Sequence, residues 1–419
     1  MTTQFHVVVV GAGYAGVMAA NRLLAEHPEV AVTVVNPRPV FVERVRLHQV
    51  AAGSGTATHE LSDLLHPRVT LHVGTAVRIE PYAVSLADGT VLQCDAVVYA
   101  VGSTTGSGAI PGAEKAFSVA DLDSATALRD ALLEADDHAS VVVIGGGLTG
   151  LETVTELAQS HPRHTLVLVG DPGAALPVNT QRYIRHRLDE LGVQVRSGTR
   201  VARIDDGSVV LDDGSEIPAT LVVRTAGFSV PDLARRSGLP VDDDGRLRVR
   251  DTLQAVDGSP IVGVGDGMPV VGVGDGMSVV GVGDGMPVVG VGDGMPVVGV
   301  GDAVVVDGND HLRMSCQAAM PLGIHGADTV WQLLQGREPA PLSLGFVTTC
   351  ISLGRDRGVV QLSARDDTPS RWALRGRLAA PVKEAVVRGT IHTMQLQARG
   401  RALPSRRGPD TAAREKAHV

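Results

Sequence analysis

Aromatic side chains are scarce in this sequence of 419 residues, since Phe, Trp and Tyr together make up 3% of it. Hydrophobic residues still account for 44%, so the cores must be built from Val, Leu, Ile and Ala. Charged residues at 20% fit a folded globular protein rather than a disordered chain. At about 150 residues per domain, the length predicts roughly three domains.

Cysteine is also scarce: the sequence contains Cys94, Cys316 and Cys350, far apart and without a Cys-x-x-Cys pair. This excludes a disulfide framework, and the lack of Cys/His ligand spacing argues against a structural metal site. We predict no bound metal. Free thiols fit a reducing compartment.

The sequence lacks a basic excess, a leader segment and a long apolar run. Its formal net charge of −9 argues against a nucleic-acid partner. The first residues, MTTQFHVVVVGAG, do not combine a charged leader with an apolar stretch and a cleavage site. No run reaches the 18 or so apolar residues that span a membrane. We therefore expect a cytoplasmic protein.

Glycine is abundant, and its first cluster forms a G-x-G-x-x-G motif of Gly11, Gly13 and Gly16. The surrounding FHVVVVGAGYAGVMAANRLLAEHPEVAVTVVNPRP predicts a strand, a tight turn, a helix and a second strand. The three glycines permit the turn, the approach of a pyrophosphate, and close packing of helix on strand. The second strand ends at Asn36, where an acidic residue usually binds ribose hydroxyls. Asn36 can do so through its amide.

The motif returns in SVVVIGGGLTGLETVTELAQSHPRHTLVLVGDPG as Gly145, Gly147 and Gly150. Asp171 follows the second strand and is suited to accept hydrogen bonds from ribose hydroxyls. The alternative is that Asp171 only begins the turn Asp-Pro-Gly. No arginine follows it directly to hold a 2′-phosphate, which favours NADH over NADPH. Two such units predict two dinucleotides held face to face, as hydride transfer between a nicotinamide and a flavin requires.

Two further stretches strengthen this pattern: CDAVVYAVGSTT, which contains Gly102, and LVVRTAGFSVPDLA, which contains Gly227. With them the sequence resembles the flavoproteins of the pyridine nucleotide-disulphide oxidoreductase class, which have two dinucleotide-binding domains. The resemblance implies FAD and NADH as cofactors, with Gly102 and Gly227 in the crossovers between the domains. It also implies that Glu152 lies near the nicotinamide. The simpler alternative is that Glu152 only complements the helix N-terminus.

The fold expected from the resemblance is α/β, with two interleaved, three-layer Rossmann-type domains and a small α+β C-terminal domain. The predicted segments are 1–108 and 229–336 for the FAD-binding domain, 109–228 for the NADH-binding domain, and 337–419 for a C-terminal interface domain with a basic, partly disordered tail.

Residues 262–302 repeat the unit VGVGDGMPV with a period of nine, so that Val-Gly-Val-Gly-Asp occurs five times. The family's second FAD motif is a strand running into Gly-Asp, whose aspartate binds the ribityl chain. A single flavin uses one aspartate. We favour Asp302, since a family-like helix follows it alone; Asp266 is the competitor, and we expect spare copies to loop out or stack on a sheet edge. A calcium β-roll shares the period, but there one residue separates Gly from Asp.

The segment FVERVRLHQVAAG lacks the redox cysteine pair of the disulfide reductases. It resembles the type II NADH dehydrogenase branch, as does MSCQAAMPLGIHG, in which Gln317 matches the first Gln of the quinone-side helix and Pro321 replaces the second. Arg44, Arg46 and His48 would line the flavin or acceptor face; alternatively they are solvated or paired helix residues.

The implied function is an FAD-dependent NADH dehydrogenase with a quinone or dye as acceptor. One alternative is a reductase of a small electron-transfer protein, and another is an inactive chain whose repeat serves as a structural or interaction module. In the C-terminal region, LGFVTTCISLGRDRGVVQL predicts two strands around a turn. The basic residues beyond, with Trp372 and Leu378, could dock on anionic lipid at the inner face of a membrane, or form a solvated tail. We expect Pro381 to interrupt a helix there.

Overall fold

The computed structural model describes residues 5–106, 110–225, 227–256 and 295–401. Strands in its first half are β1 His6–Val10, β2 Ala31–Asn36, β3 Val40–Val42, β4 Thr58–Glu60, β5 Thr70–Val73, β6 Ala76–Glu80, β7 Ala83–Leu86, β8 Val91–Gln93, β9 Ala96–Tyr99, β10 Thr104–Thr105, β11 Phe117–Ser118 and β12 Ser140–Ile144. The later strands are β13 Thr165–Val169, β14 Gln194–Arg196, β15 Val201–Asp205, β16 Ser208–Leu211, β17 Glu216–Pro218, β18 Leu221–Arg224, β19 Phe228–Ser229, β20 Leu247–Val249, β21 Val297–Gly299, β22 Val304–Val306, β23 Thr348–Ser352, β24 Gly358–Ser363 and β25 Pro369–Gly376. The helices are α1 Tyr14–Glu26, α2 Leu47–Ala51, α3 Leu122–Glu134, α4 Leu148–Ser160, α5 Val178–Glu190, α6 Leu233–Arg236, α7 Cys316–Leu334 and α8 Ala379–Ala398.

Two five-stranded parallel sheets form the centre of the fold. Their strand orders are β21-β9-β1-β2-β5 and β11-β18-β12-β13-β14. Central strands such as β1 and β12 are continuous runs of buried Val and Ile, because helices or further strands cover both faces of a parallel sheet. The buried cores are correspondingly aliphatic, as the scarcity of aromatic residues predicts.

The two sheets are interleaved along the chain. The first sheet takes β1, β2, β5 and β9 from before the second sheet, and then β21 from after it, in parallel register with β9. The two crossings of the chain pair with each other as the short antiparallel strands β10 and β19. The predicted fold class of two interleaved Rossmann-type units is thus confirmed, while the exact segment boundaries remain a prediction.

Each parallel sheet carries an antiparallel meander, β6-β7-β8 or β15-β16-β17. The last part of the described chain is a three-stranded antiparallel sheet, β23-β24-β25, which packs against α8. The predicted pair of strands around the Gly-Arg-Asp-Arg-Gly turn is present as β23 and β24.

The expectation that Pro381 interrupts a helix is wrong. Pro381 is the third residue of α8, whose N-cap is Leu378, and the helix continues to Ala398. Proline is tolerated in the first turn because the backbone N–H groups there have no partner within the helix. Pro321, in contrast, lies inside α7, which continues past it to Leu334.

Four of the five repeated aspartates, Asp266, Asp275, Asp284 and Asp293, lie outside the described residues. The predicted arrangement of the spare copies is therefore not described. The last copy provides β21, and Asp302 follows it in a short 3-10 turn, Gly301–Ala303. This places Asp302 at the carboxyl end of the first parallel sheet.

Close packing of α1 on α7 depends on Gly323. A Cβ atom on Gly323 would overlap the backbone carbonyl of Ala15 in α1. We expect Gly323→Ala to lower the free energy of unfolding by about 1–3 kcal/mol because the helices must separate. Gly389→Ala in α8 is the matched control, because a Cβ on Gly389 would meet nothing within 4 Å. This variant should raise the free energy of unfolding by roughly 0.5–1 kcal/mol, since alanine favours a helix over glycine. Thermal unfolding measures both changes, and equal shifts would contradict the packing argument.

Candidate active site

The first glycine turn leaves a space at the N-terminus of α1. A Cβ on Gly11 would overlap the carbonyl oxygen of Ala100, and one on Gly16 would overlap the carbonyl oxygen of Gly11. A Cβ on Gly13 would meet nothing within 4 Å. The outer two glycines therefore serve close packing, whereas Gly13 faces open space beside the unpaired N–H groups of α1. This is the cradle that a pyrophosphate needs.

Asn36 contacts this turn directly. Its side-chain oxygen accepts a hydrogen bond from the Ala12 N–H at 3.0 Å, and its side-chain nitrogen donates to the Arg38 carbonyl oxygen at 2.8 Å. Both ends of the amide are thus engaged by the backbone. Asn36 fixes the turn in this structure, and its predicted contact with a ribose remains a prediction.

The second glycine turn has the same construction. A Cβ on Gly150 would overlap the carbonyl oxygen of Gly145, whereas a Cβ on Gly147 would meet nothing within 4 Å. Asp171 follows β13, and its Oδ1 accepts a hydrogen bond from the Gly198 N–H at 3.0 Å. This bond holds the carboxylate at the carboxyl edge of the second sheet, where the ribose of a bound dinucleotide is expected.

The two predicted crossover glycines lie where the chain passes between the sheets. Gly102 and Gly227 have φ angles of +68° and +85°, and a Cβ on either residue would meet nothing within 4 Å. The Gly106 N–H donates to the Gly227 carbonyl oxygen at 3.0 Å, which ties the two crossings together. The structure therefore brings both glycines to the junction of the sheets.

Asp302 lies in a polar cluster with Arg44 and Ser103. The Ser103 hydroxyl donates to Asp302 Oδ2 at 3.1 Å, and Arg44 Nη1 donates to the Ser103 hydroxyl and carbonyl oxygens at 2.8 Å. Arg44 Nη1 is 3.9 Å from Asp302 Oδ2. Burial raises the pKa of the Asp302 carboxyl, and the nearby guanidinium opposes this shift. The last copy of the repeat thus meets Arg44 and Ser103, the residue after the crossover glycine Gly102, at one place.

These residues fit an FAD molecule. The open cradle at Gly13 suits its pyrophosphate, and the carboxylate of Asp302 is an acceptor for the hydroxyl groups of its ribityl chain. The N-terminus of α7 follows, where the Ser315 hydroxyl accepts from the Ala318 N–H at 3.2 Å. Burial raises the pKa of the neighbouring Cys316 thiol to about 11, so this thiol is neutral at physiological pH.

Gln317 faces the C-terminal sheet. With its amide oriented to satisfy both neighbours, it donates to the Thr348 carbonyl oxygen at 2.9 Å and accepts from the Val347 N–H at 3.3 Å. These contacts join α7 to the start of β23. A catalytic role for Gln317 remains a prediction.

Glu152 belongs to a buried cluster that the sequence alone does not reveal. Its carboxylate pairs with the ammonium of Lys383 from α8 and accepts from the Ser352 N–H at 2.9 Å. His48 Nδ1 of α2 lies 4.0 Å from Glu152 Oε2. Burial lowers the pKa of Lys383 to about 7, aided by Arg46, and burial also holds the pKa of His48 well below its ordinary range.

The cluster continues into a set of ion pairs around α2. Arg46 binds Glu384 of α8 at 2.9 Å and Glu43 at 2.9 Å. Arg355, in the β23–β24 turn, binds Glu156 of α4 at 2.7 Å. Arg46 is thus ion-paired, whereas burial keeps the pKa of His48 too low for a charged partner, and a place for either residue at the flavin or acceptor face remains a prediction. Residues from the unit of the first sheet (α2), the unit of the second sheet (α4) and the C-terminal unit (α8) thus meet at this cluster.

A cavity of about 440 Å³ adjoins this cluster. It lies between the 3-10 turn Arg44–Arg46 with α2, the β23–β24 turn and α8, and its lining includes Val45, Arg46, Arg355, Lys383, Glu384 and Val387. A cavity of this size is suited to a small organic molecule.

The sequence did not single out Lys383, which the structure buries in this cluster. It lies in a basic C-terminal stretch that looked like a solvated surface. One signal was available: the sequence has only three lysines, Lys115, Lys383 and Lys416, among its 37 basic residues. A buried lysine loses its proton readily, whereas a buried arginine stays charged.

Comparison with known proteins agrees with this geometry. The family described as pyridine nucleotide-disulphide oxidoreductase matches residues 5–274. The chain therefore belongs to the pyridine nucleotide-disulphide oxidoreductase family and is an FAD-dependent NAD(P)H oxidoreductase. Within it, the chain falls in the NADH dehydrogenase-like branch. It is 31% identical over 281 residues to the NADH dehydrogenase-like protein MT1860 of Mycobacterium tuberculosis (strain CDC 1551 / Oshkosh), which covers 60% of this chain and 69% of that protein.

Other relatives differ in the acceptor that their names indicate. The chain is 31% identical over 270 residues to putidaredoxin reductase CamA of Pseudomonas putida, covering 58% of this chain and 63% of that protein. Its fold is similar to that of the sulfide:quinone oxidoreductase of Aquifex aeolicus, with a TM-score of 0.74, 16% identity and coverage of 96% and 93%. It is similar as well to NDH2 of Plasmodium falciparum solved with NADH, with a TM-score of 0.72, 13% identity and coverage of 95% and 99%.

We expect Asp302→Ala to lose bound FAD, because the variant removes the carboxylate at the end of β21, whereas Asp266→Ala should retain it. The flavin absorbance per mole of purified protein measures both variants. The reverse pattern would show that Asp266 is the flavin ligand.

Proposed function

We propose that this protein is an NADH:quinone oxidoreductase, which takes hydride from NADH onto FAD and passes the electrons to a quinone-like acceptor. The observation that carries the proposal is the buried Glu152–Lys383 pair beside the cavity at α8. A quinone takes up two protons as it takes up two electrons. A lysine whose pKa is about 7 is suited to deliver a proton at neutral pH.

In this proposal each glycine turn holds one cofactor. Gly11, Gly13, Gly16, Asn36, Arg44, Gly102 and Asp302 would hold FAD, and Gly145, Gly147, Gly150, Asp171 and Gly227 would hold NADH. FAD supplies the chemistry, since it accepts a hydride from NADH and gives two electrons to the acceptor. The proposed domains are 1–108 with 229–336 for FAD, 109–228 for NADH, and 337–419 for the acceptor interface.

We place the acceptor in the cavity at α8. Val45 and Val387 supply apolar contacts for a ring, and the Lys383 ammonium supplies a hydrogen-bond donor for a quinone oxygen. Glu152 and His48 do not line the cavity, and the Glu152 carboxylate holds the Lys383 ammonium in place through their ion pair. Gln317, on α7, would have a positioning role through its contacts with β23.

An apolar surface on the same C-terminal unit supports a lipophilic acceptor. Leu378, the N-cap of α8, and Val382 and Val386 within α8 are spaced by four residues and are 72%, 39% and 48% exposed, and Trp372 of β25 is 65% exposed. Arg371 lies over the ring of Trp372 at 5.1 Å. An exposed apolar stripe flanked by basic residues suits the surface of an anionic bilayer. We propose peripheral membrane contact here. Among the described residues, no helix is long and apolar enough to cross a membrane.

A small acidic electron-transfer protein is the second candidate acceptor. The cavity includes Arg46, Arg355, Arg377 and Arg388 among its lining residues, and Arg377 and Arg388 are exposed. Such a positive surface attracts an acidic partner and raises its rate of association. The similarity to putidaredoxin reductase CamA supports this alternative.

The role of Lys383 is testable through pH. The rate of quinone reduction should fall as the pH rises through about 7, because Lys383 then loses the proton that it delivers. Lys383→Met should lower kcat/KM for a soluble quinone by about 10²-fold and remove this dependence. Bleaching of the flavin by NADH, measured separately by stopped flow, should persist.

Two control variants sharpen this test. Lys383→Arg keeps a positive charge but holds its proton, so it should remain slow at every pH. Lys115→Met alters a lysine that pairs with Asp206 at the surface, and it should behave as the wild type. An unchanged pH profile in Lys383→Met would contradict proton delivery by Lys383.

The apolar surface is tested with the triple variant Leu378→Glu/Val382→Glu/Val386→Glu. We expect it to lose most of its co-sedimentation with vesicles that contain anionic lipid, because three charges replace the apolar contacts. Leu133→Glu, on α3, is the matched control, since Leu133 is 73% exposed and lies outside this surface. Equal binding by both variants would contradict membrane contact at α8.

A further inference from the structure

The repeat provides five near-identical Gly-Asp units, so something must determine which one serves as the flavin strand. The segment Val-Gly-Val-Gly-Asp is the same in every copy. Each of the five copies could therefore make the same contacts with β9 through this segment. The discriminating residues must lie outside the motif itself.

The copies differ immediately after the aspartate. Asp302 is followed by Ala303, Val304, Val305 and Val306, whereas the earlier copies continue with Gly-Met-Pro-Val or, after Asp275, with Gly-Met-Ser-Val. In the structure, Val304–Val306 form β22, which pairs in parallel with β20. Only the last copy therefore carries the sequence of β22.

The backbone of β22 disfavours proline at its centre. Val305 lies opposite Arg248 of β20, and the Asp307 N–H donates to the Val249 carbonyl oxygen at 2.9 Å. Hydrogen bonds along a strand recur every second residue, so the N–H of Val305 points to the same neighbouring strand. Proline has no N–H to donate. Three of the four earlier copies place proline at this position.

The side chains of β22 are equally specific. Val304 packs on the flavin strand itself, since its Cγ1 would lie 2.7 Å from a Cβ built on Gly299. Ala303 is fully buried and Val306 is 5% exposed. The earlier copies have glycine in place of Ala303 and the longer methionine in place of Val304. They would leave a gap at the first position and overfill the second.

We propose that β22, rather than the Gly-Asp motif, is the specificity-determining element that selects the fifth repeat unit as the flavin-binding strand. The strand folds back on Gly299 and thereby fixes Asp302 beside Ser103 and Arg44. The inference rests on the proposed role of Asp302 in holding FAD. It predicts that an earlier unit gains this role once it acquires the sequence of β22.

The test transplants the β22 sequence to the first unit in the full-length chain. Asp302→Ala alone should lose FAD. An Asp302→Ala chain that exchanges the two sequences, with Gly267→Ala, Met268→Val and Pro269→Val in the first unit and Ala303→Gly, Val304→Met and Val305→Pro in the last, should regain at least half of the wild-type flavin content, because Asp266 alone is then followed by Ala-Val-Val-Val. The readouts are flavin absorbance per mole of protein and thermal unfolding.

Two controls separate the outcomes. Adding Asp266→Ala to the rescued chain should abolish FAD binding again, which identifies Asp266 as the new ligand. A chain that carries Gly267→Ala and Met268→Val but keeps Pro269 should give much weaker rescue, because proline has no N–H for the hydrogen bond at this strand position. If Asp302→Ala keeps its FAD, the proposed role of Asp302 fails. If Asp302→Ala loses FAD and the transplanted chain stays empty, selection by β22 is overturned.

Discussion

A carboxylate and an ammonium that are buried together, Glu152 and Lys383, join the three parts of this chain at one interior point. Burying either charge alone is strongly unfavourable, so each requires the other to remain in place. Glu152 comes from the helix after the second glycine turn, Lys383 from the C-terminal helix, and His48 from the first dinucleotide-binding unit. The electrostatic pairing therefore fixes how the C-terminal unit sits against the two sheets. Burial of this lysine, aided by the nearby Arg46, lowers its pKa and makes its proton easier to release.

The second constraint is the interleaving of the two sheets. Because β21 returns to the first sheet after the chain has formed the second, the two glycine turns are built into one scaffold. The paired crossings at Gly106 and Gly227 tie the scaffold at its junction. In the proposed function, two dinucleotides held by such turns would approach one another at this junction, as hydride transfer requires.

Much of this fold could be predicted from the sequence, because its signals are local. The glycine spacing at Gly11, Gly13 and Gly16 and the valine runs before them specify turn and strand without reference to the rest of the chain. The helix that follows Asp302 in the sequence favours it over Asp266, and the structure places Asp302 with Ser103 and Arg44. The selecting role proposed for β22 depends on contacts with β20, which lies far away in the sequence.

The buried cluster was harder to predict for the same reason. Lys383 is separated from Glu152 by more than half of the chain, and nothing near Lys383 in the sequence indicates that it is buried. Proline disrupts a helix only beyond its first turn. The sequence does not show where this helix begins, so Pro381 predicts an interruption that the structure does not have. Tertiary contact, rather than local pattern, determines both features.

The most direct test of NADH-to-quinone electron transfer is a two-step anaerobic experiment on the purified protein. The flavin spectrum is first bleached with one equivalent of NADH, and a soluble quinone is then mixed in by stopped flow. The account predicts rapid bleaching, followed by full return of the flavin absorbance at a rate that rises with quinone concentration. A flavin that bleaches but is reoxidised only by an acidic electron-transfer protein would contradict the quinone assignment, and a chain that binds no flavin at all would contradict the whole account.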